Sequence, residues 1–194
     1  MQYVQPHNTP DNYYWYSNIF TDIELDKIEK DLAVVSSAKA KLGDEGEESS
    51  KEIRSSRIKW IPKDQKWIWL YEKLTKLAAT ANNEIWHFDL YSATELIQYT
   101  EYYAEEGGHY TWHMDCGPGN MSHRKISITV QMSDTEEYEG GDLELWFGGN
   151  EPKQGPRGKG VGVLFPSYVL HRVTPVTKGL RKSLVLWVGG SHFK

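Results

Sequence analysis

The stretch Lys125–Met132 (KISITVQM) alternates apolar and polar side chains along its length. Side chains two positions apart on a β-strand point to the same face, so Ile126, Ile128 and Val130 share one face. The polar side chains share the other face, which would ordinarily meet solvent. If helices cover the apolar face, the polar face instead lines a pocket between two sheets. The stretch therefore predicts a strand of a layered β-protein, with its polar face towards either solvent or a pocket.

The rest of the chain from about Trp86 onwards has short strand-like runs separated by glycine and proline turns, as in sandwiches and barrels. The runs are predicted at Trp86–Tyr91, Thr94–Tyr103, His109–Asp115, Lys125–Met132, Asp142–Trp146, Gly160–Phe165, Val169–Val173 and Leu180–Val188. Upstream, Thr21 and Glu24 match a capping box, and a second helix is predicted from Asp64 to about Asn82. We therefore expect a mainly β fold, a jelly roll with flanking N-terminal helices packed on its major sheet.

Length and charge limit the domain organisation and the partners of the chain. Its 194 residues fit a single domain, with helical support and a loop in residues 1–85 and the jelly-roll core in 86–194. A net charge of −5 argues against a nucleic-acid partner, which is bound by clustered cations. There is no apolar run of about eighteen residues and no signal-peptide pattern. With a single cysteine, we expect a cytoplasmic protein without a membrane partner.

His113 and Asp115 are the strongest candidates for chemistry, because on one strand their side chains project from the same face. His171, from a distant strand, could complete a set of two imidazoles and one carboxylate around a metal. That facial set leaves coordination positions open and is typical of non-haem Fe(II) oxygenases. The same residues could hold zinc in a hydrolase. They could also be ordinary hydrogen-bonded residues, because His-x-Asp occurs by chance.

Arg181 follows His171 after a turn at Pro175–Gly179, and the returning strand brings it towards the same cavity. Ser183 and Trp187 share its strand face. An inward-pointing cation is costly unless it meets an anion, and arginine holds a carboxylate through two parallel hydrogen bonds. The alternative is a solvated or salt-bridged arginine. The metal motif favours the first interpretation, a carboxylate ligand in the pocket.

Four segments together resemble the Fe(II)- and 2-oxoglutarate-dependent dioxygenases, specifically their prolyl 4-hydroxylase-like branch. They are Gly107–Asp115 (GGHYTWHMD), Arg124–Gln131, Glu139–Leu143 (EGGDL) and His171–Trp187. The resemblance runs from about Tyr13 to Trp187 and implies a double-stranded β-helix. It implies that His113, Asp115 and His171 hold iron. It further implies that a substrate is hydroxylated while 2-oxoglutarate is decarboxylated to succinate and CO2.

The resemblance also implies which residues surround 2-oxoglutarate. Arg181 would bind its far carboxylate, with Ser183 beside it. An upstream tyrosine commonly shares this carboxylate; here it would be Tyr103, with the adjacent Tyr102 as an open alternative. Gln131 stands where some relatives place another tyrosine. Besides Fe(II) and 2-oxoglutarate, the implied reaction uses O2, with ascorbate as the expected reductant.

Two further positions resemble substrate-binding residues of prolyl hydroxylases. Arg54 lies in an Arg-Ser segment like the one that precedes their flexible substrate loop, and Trp187 matches a tryptophan that contributes to substrate binding. A peptide or protein substrate containing proline is the first choice, recognised through loops such as Leu42–Arg57. The alternatives are that Arg54 is an ordinary exposed arginine and that Trp187 only packs in the core. The competing functions are a hydroxylase of small molecules or free amino acids and a non-catalytic metal-binding or carbohydrate-binding jelly roll.

Overall fold

The computed structural model describes residues 6–8, 12–40 and 52–192. Of the loop predicted at residues 42–57, residues 42–51 lie outside the described residues. The helices are α1 (Asp22–Leu32) and α2 (Ile68–Ala81). The strands are β1 (Pro6–Asn8), β2 (Tyr14–Tyr16), β3 (Ala38–Lys39), β4 (Arg54–Ser55), β5 (Arg57–Ile61), β6 (Leu90–Ala93), β7 (Ile97–Tyr103), β8 (His109–His113), β9 (Arg124–Gln131), β10 (Tyr138–Gly140), β11 (Leu143–Trp146), β12 (Lys153–Gln154), β13 (Gly162–Pro166), β14 (Leu170–Val173) and β15 (Val176–Gly190).

The strands form two antiparallel sheets with a cavity between them. The order of the major sheet is β1-β2-β13-β9-β15-β7-β5-β3, and β6 and β10 pair with other parts of the long β15. The order of the minor sheet is β12-β11-β14-β8-β4. Side chains from both sheets line the cavity. The predicted mainly β jelly roll with flanking helices is confirmed.

Strand β9 shows why the cavity lies where it does. Ile126, Ile128 and Val130 have no exposed surface and belong to the same apolar cluster as Leu70 and Leu74 of α2. Burying side chains of this size stabilises the fold by roughly 1.5–3 kcal/mol each. Because the apolar face of β9 packs against the helices, its polar face points into the space between the two sheets.

Helix α1 begins at the predicted capping box. The Thr21 backbone N–H donates to the Glu24 carboxylate (2.8 Å), and the Glu24 backbone N–H donates to the Thr21 hydroxyl (3.3 Å). The Lys73 ammonium of α2 donates to the same Glu24 carboxylate at 2.6 Å, which links the two helices. The two bonds between Thr21 and Glu24 satisfy backbone N–H groups that the helix end leaves open, so the start of α1 is determined locally.

The N-terminal part contributes strands β4 and β5, which the sequence analysis did not predict. β4 joins the minor sheet, and β5 pairs along β7 in the major sheet. The polar run around Arg54 gives neither segment a clear alternating pattern. The predicted strand start at Trp86 is wrong, because Asn82–Trp86 extend α2 as a π-helical turn. The Asn82 side chain then bonds both backbone groups of Phe88, which delays the strand to Leu90.

Within the described residues, none of the helices combines the length and apolar character required to cross a membrane.

Candidate metal centre and the cavity around it

Two neighbouring strands of the minor sheet bring the predicted metal ligands together. His113 ends β8 and lies opposite His171 of β14, with ring centroids 4.1 Å apart. Asp115 lies just past β8, where its backbone N–H donates to the Ser167 carbonyl at 2.9 Å. The Asp115 carboxylate oxygens are 3.7 Å from His113 Nε2 and 3.5 Å from His171 Nε2. The three ligand atoms all lie within 4.8 Å of one another, a spacing that one metal ion can bridge.

Hydrogen bonds to the backbone determine which nitrogen of each histidine is free. His113 Nδ1 is 2.8 Å from the Thr111 carbonyl, and His171 Nδ1 is 2.9 Å from the Val169 carbonyl. A carbonyl oxygen only accepts, so each Nδ1 donates its proton and each Nε2 keeps a lone pair for a metal. The Ser127 hydroxyl donates to Asp115 Oδ2 at 2.6 Å and orients the carboxylate. These three candidate ligands are thus held in place by backbone and side-chain partners.

Burial and mutual electrostatics give these groups the charges that a metal requires. Burial, reinforced by the neighbouring His171, lowers the pKa of His113 to about 3. Burial alone would raise the pKa of Asp115, but both imidazoles and the Ser127 hydrogen bond outweigh it and hold this pKa below its usual value. His113 is therefore neutral and Asp115 ionised at neutral pH. This donor set of two imidazoles and one carboxylate fits a divalent metal such as Fe(II).

Arg181, a second buried feature of the cavity, has no exposed surface. Its Nη2 donates to the Gln131 side-chain oxygen at 2.9 Å, and Nη1 lies 3.5 Å from the Ser183 hydroxyl. Nε has no hydrogen-bond partner, and none of the ion pairs of the described residues includes Arg181. A buried guanidinium held by neutral groups alone has an unmet requirement for an anion. The cavity therefore fits a carboxylate at Arg181, as the sequence predicts.

Tyr102, rather than Tyr103, accompanies this arginine. β7 and β15 pair Tyr102 directly with Arg181, and the guanidinium lies 5.3 Å from the Tyr102 ring centroid. Tyr102 lines the cavity, whereas Tyr103 points to the other face of β7 and stacks with Arg57 at 4.9 Å. The expectation that Tyr103 faces this pocket is thus corrected to Tyr102, because adjacent residues on a strand face opposite ways.

Tyr110 is a cavity residue that the sequence analysis missed. β8 and β14 pair His113 with His171 and Tyr110 with Val173, so β8 has one extra residue between the two pairs. This bulge brings Tyr110 and His113 to the same side, with their rings stacked at a centroid distance of 3.4 Å. Burial raises the pKa of Tyr110 to about 12, so the phenol keeps its proton. Strict alternation would have placed Tyr110 on the opposite face.

The remaining predicted site residues, Arg54 and Trp187, also line the cavity, which measures about 400 Å³. Trp187 is 6% exposed and stacks against the guanidinium of Arg124 at 3.8 Å. Arg124 in turn donates to both carboxylate oxygens of Glu95, at 2.6 and 2.5 Å. This chain of contacts fixes the indole of Trp187 at the cavity wall. The Glu95–Arg124 pair, like Tyr110, was not predicted.

Gly141 of the EGGDL segment makes room for Arg181. Its φ is +64°, a left-handed conformation that side chains rarely adopt. A Cβ at this position would lie 2.9 Å from the Arg181 Cδ and 2.9 Å from a Val176 methyl. The glycine therefore allows the turn to approach the arginine closely.

Comparisons with known proteins agree with this geometry. Residues 97–189 match the sequence profile of the 2OG-Fe(II) oxygenase superfamily. A PKHD-type hydroxylase of Synechococcus sp. (strain CC9605) is 40% identical over 82 residues, covering 42% of this chain and 37% of the relative. A PKHD-type hydroxylase of Azoarcus sp. (strain BH72) is 29% identical over 143 residues, covering 70% of this chain and 61% of the relative. The chain thus spans less than two thirds of the length of these relatives.

Two solved structures share the fold. A Pseudomonas putida prolyl-4-hydroxylase has a TM-score of 0.71 at 17% identity, covering 94% of each chain. A Trichoplax adhaerens prolyl hydroxylase, solved with a hypoxia inducible factor peptide fragment, has a TM-score of 0.75 at 18% identity, covering 93% of this chain and 84% of the other. Together with the profile match, these results confirm the resemblance inferred from the sequence. The chain therefore has the fold of these prolyl hydroxylases, and its residues 97–189 are similar to the 2OG-Fe(II) oxygenase superfamily.

Proposed function

We propose that the protein is an Fe(II)- and 2-oxoglutarate-dependent dioxygenase that hydroxylates its substrate and converts 2-oxoglutarate to succinate and CO2. The observation that supports this most strongly is one cavity with two complementary features. It holds a facial set of metal ligands, His113, Asp115 and His171, and a buried cation, Arg181, without a described counter-ion. A metal centre alone would not require Arg181, whereas a dicarboxylate cosubstrate requires both.

Each side chain has a definite task in this proposal. The two Nε2 atoms and the Asp115 carboxylate hold Fe(II), which supplies the activation of O2 when bound. Arg181 binds the far carboxylate of 2-oxoglutarate, while Gln131 and Ser183 hold its guanidinium in place. The hydroxyl of Tyr102, which lines the same cavity, is the proposed second donor to that carboxylate.

A peptide or protein containing proline is the proposed substrate, with ascorbate as the reductant that keeps iron in its ferrous state. Arg54 and Trp187 at the cavity wall support an approach of substrate from that side. The names of the relatives, PKHD-type hydroxylase and prolyl hydroxylase, support the same substrate class. A small molecule or a free amino acid is the alternative substrate of the same chemistry.

Succinate formation tests this proposal. Protein supplied with Fe(II), 2-oxoglutarate, ascorbate and air is assayed with and without a panel of proline-containing peptides. We expect turnover that a peptide stimulates, and a product heavier by one oxygen atom. Stimulation by small molecules alone would indicate a small molecule or a free amino acid as the substrate instead of a peptide. Absence of succinate with iron shown to be bound would favour a non-catalytic metal-binding jelly roll.

The variants Arg181→Gln and Arg181→Lys test the role of the buried cation. Losing one partner of a buried charged pair typically costs 2–5 kcal/mol, so Arg181→Gln should raise the half-saturating 2-oxoglutarate concentration by at least about 30-fold. Arg181→Lys keeps the charge, so its half-saturating 2-oxoglutarate concentration should lie between that of the wild type and that of Arg181→Gln. Metal affinity should stay near the wild-type value in both variants. An unchanged requirement for 2-oxoglutarate would remove Arg181 from this role.

A further inference from the structure

Arg54 is a second buried cation in the cavity. It lies on β4 opposite Tyr110, is 9% exposed, and its guanidinium is 4.7 Å from the Tyr110 ring centroid. Its Nε donates to the Ser56 hydroxyl at 2.8 Å, and Nη2 donates to the Gln98 side-chain oxygen at 3.1 Å. Both acceptors are uncharged. The described contacts therefore hold Arg54 in place without neutralising it.

The guanidinium of Arg54 keeps most of its donor capacity. Arginine has five N–H donors, and the two bonds to Ser56 and Gln98 leave three of them without a partner among the described residues. Three donors are enough for the two parallel bonds that a carboxylate accepts, with one to spare. The described part of the chain therefore holds the Arg54 guanidinium in place but supplies no carboxylate to pair with it.

The two carboxylates that line the cavity are both engaged elsewhere. Asp115 lies between the two imidazoles and accepts from Ser127. Both oxygens of Glu95 accept from Arg124. None of the ion pairs formed by residues 12–40 and 52–192 includes Arg54. No described carboxylate is left to serve as its counter-ion.

The charge of the loaded site sharpens this argument, which here rests on the proposed function. A divalent metal with Asp115, together with doubly charged 2-oxoglutarate and Arg181, adds up to no net charge. The Glu95–Arg124 pair is also neutral. Among the described residues Arg54 then remains as one uncompensated positive charge, and because it is buried, leaving it unpaired is disfavoured. Since no carboxylate of residues 12–40 and 52–192 supplies the missing negative charge, the substrate is its proposed source.

We infer that Arg54 is an anion-binding subsite and that the substrate carries a carboxylate close to the position that is hydroxylated. Two sources share this chemistry: the main-chain carboxylate of a free or C-terminal residue, and the side chain of an acidic residue next to the target in a peptide. Arg54 thereby selects the charge of the substrate, whereas Arg181 holds the cosubstrate.

Paired probes that differ only in charge test the subsite. The protein is loaded with Mn(II) and 2-oxoglutarate without oxygen, and binding is measured by calorimetry. One pair is N-acetyl-proline and N-acetyl-prolinamide, which tests the main-chain source. The other is acetyl-Ala-Pro-Asp-amide and acetyl-Ala-Pro-Asn-amide, which tests the side-chain source. In at least one pair the carboxylate probe should bind about 10-fold more tightly or better.

Three variants assign that preference to one residue. Arg54→Gln should reduce the ratio of the affinities for the carboxylate probe and its amide counterpart to about 1. Arg54→Lys should retain part of the preference. Arg57→Gln is the matched control, because Arg57 pairs with Glu106 and does not line the cavity. The affinity for 2-oxoglutarate should not change in Arg54→Gln.

Several results would overturn the inference. They are equal binding of both members of each pair by the wild-type protein, no binding of any carboxylate probe while 2-oxoglutarate binds, an undiminished preference in Arg54→Gln, or loss of 2-oxoglutarate binding in that variant. The wild-type comparison decides the matter even if a variant does not fold. If 2-oxoglutarate does not bind the Mn(II)-loaded wild-type protein, the proposed function itself fails, which is a separate result.

Discussion

Replacing Ser127 with alanine removes the hydroxyl that orients the carboxylate of the metal centre. This hydroxyl donates to Asp115 Oδ2 at 2.6 Å and lies 3.0 Å from the hydroxyl of Ser167. Both serines are fully buried, so water does not readily replace the lost group. Without the bond, the Asp115 carboxylate is free to rotate away from the position in which it faces both imidazoles.

The size of the effect follows from the strength of that bond. A hydrogen bond to a charged group contributes about 1.5–3 kcal/mol, which sets an upper limit of about 10- to 150-fold on metal affinity. The bond exists in the metal-free protein as well, so only the part that orients the carboxylate appears in the affinity. We therefore expect Ser127→Ala to weaken metal binding about 10-fold, at the low end of the range for groups that support metal ligands.

Titration of the metal-free protein with Mn(II), followed by calorimetry, measures this change. Ser127→Thr keeps the hydroxyl and should bind nearly as well as the wild type. Ser167→Ala is the matched control, because it removes the neighbouring hydroxyl but leaves the donor of Asp115 in place. If Ser127→Ala binds Mn(II) within about twofold of the wild type, Ser127 does not position Asp115, and the reasoning from its hydrogen bond is wrong.

Three further predictions follow from the cavity. Tyr102→Phe should raise the half-saturating 2-oxoglutarate concentration several-fold, and Tyr103→Phe should not; the reverse result would restore Tyr103 to the pocket. Gly141→Ala should lower both the melting temperature and the affinity for 2-oxoglutarate, because a Cβ there strains the backbone and presses on Arg181; unchanged values would contradict this. Burial lowers the pKa of His113 to about 3 from an ordinary 6.5, so the unfolded chain binds a proton that the folded, metal-free protein excludes. The melting temperature of the metal-free protein should therefore fall as pH decreases from 7 to 5, and the same slope in His113→Gln would refute this cause.

Local patterns predicted those parts of the fold that neighbouring residues determine. The capping box at Thr21 and Glu24 depends on two residues three apart, so it is visible in the sequence and present in the structure. The alternation in Lys125–Met132 reports which face meets the helices, and the structure buries its apolar side chains against α2. Both features depend on spacing alone, which the sequence contains in full.

Other features depend on contacts between distant segments and could not be predicted. The bulge that turns Tyr110 towards His113 arises from the register of β8 against β14. Whether Tyr102 or Tyr103 faces the cavity depends on the register of β7 against β15. Such registers are set by packing across the sheet, and a slip of one residue reverses every side chain. The candidate metal ligands could be selected from the sequence because their residue types and order are distinctive, whereas their partners are common polar residues.

The most direct test of the account is whether the metal and 2-oxoglutarate occupy one cavity. The affinity for 2-oxoglutarate is measured by calorimetry, without oxygen, in metal-free and Mn(II)-loaded protein, with His171→Ala as the control that impairs the metal centre. We predict that Mn(II) tightens 2-oxoglutarate binding by about tenfold or more, equivalent to at least ~1.4 kcal/mol, and that His171→Ala loses most of this gain. Equal affinity with and without Mn(II) would contradict the proposal that the metal centre and Arg181 hold the two ends of one cosubstrate.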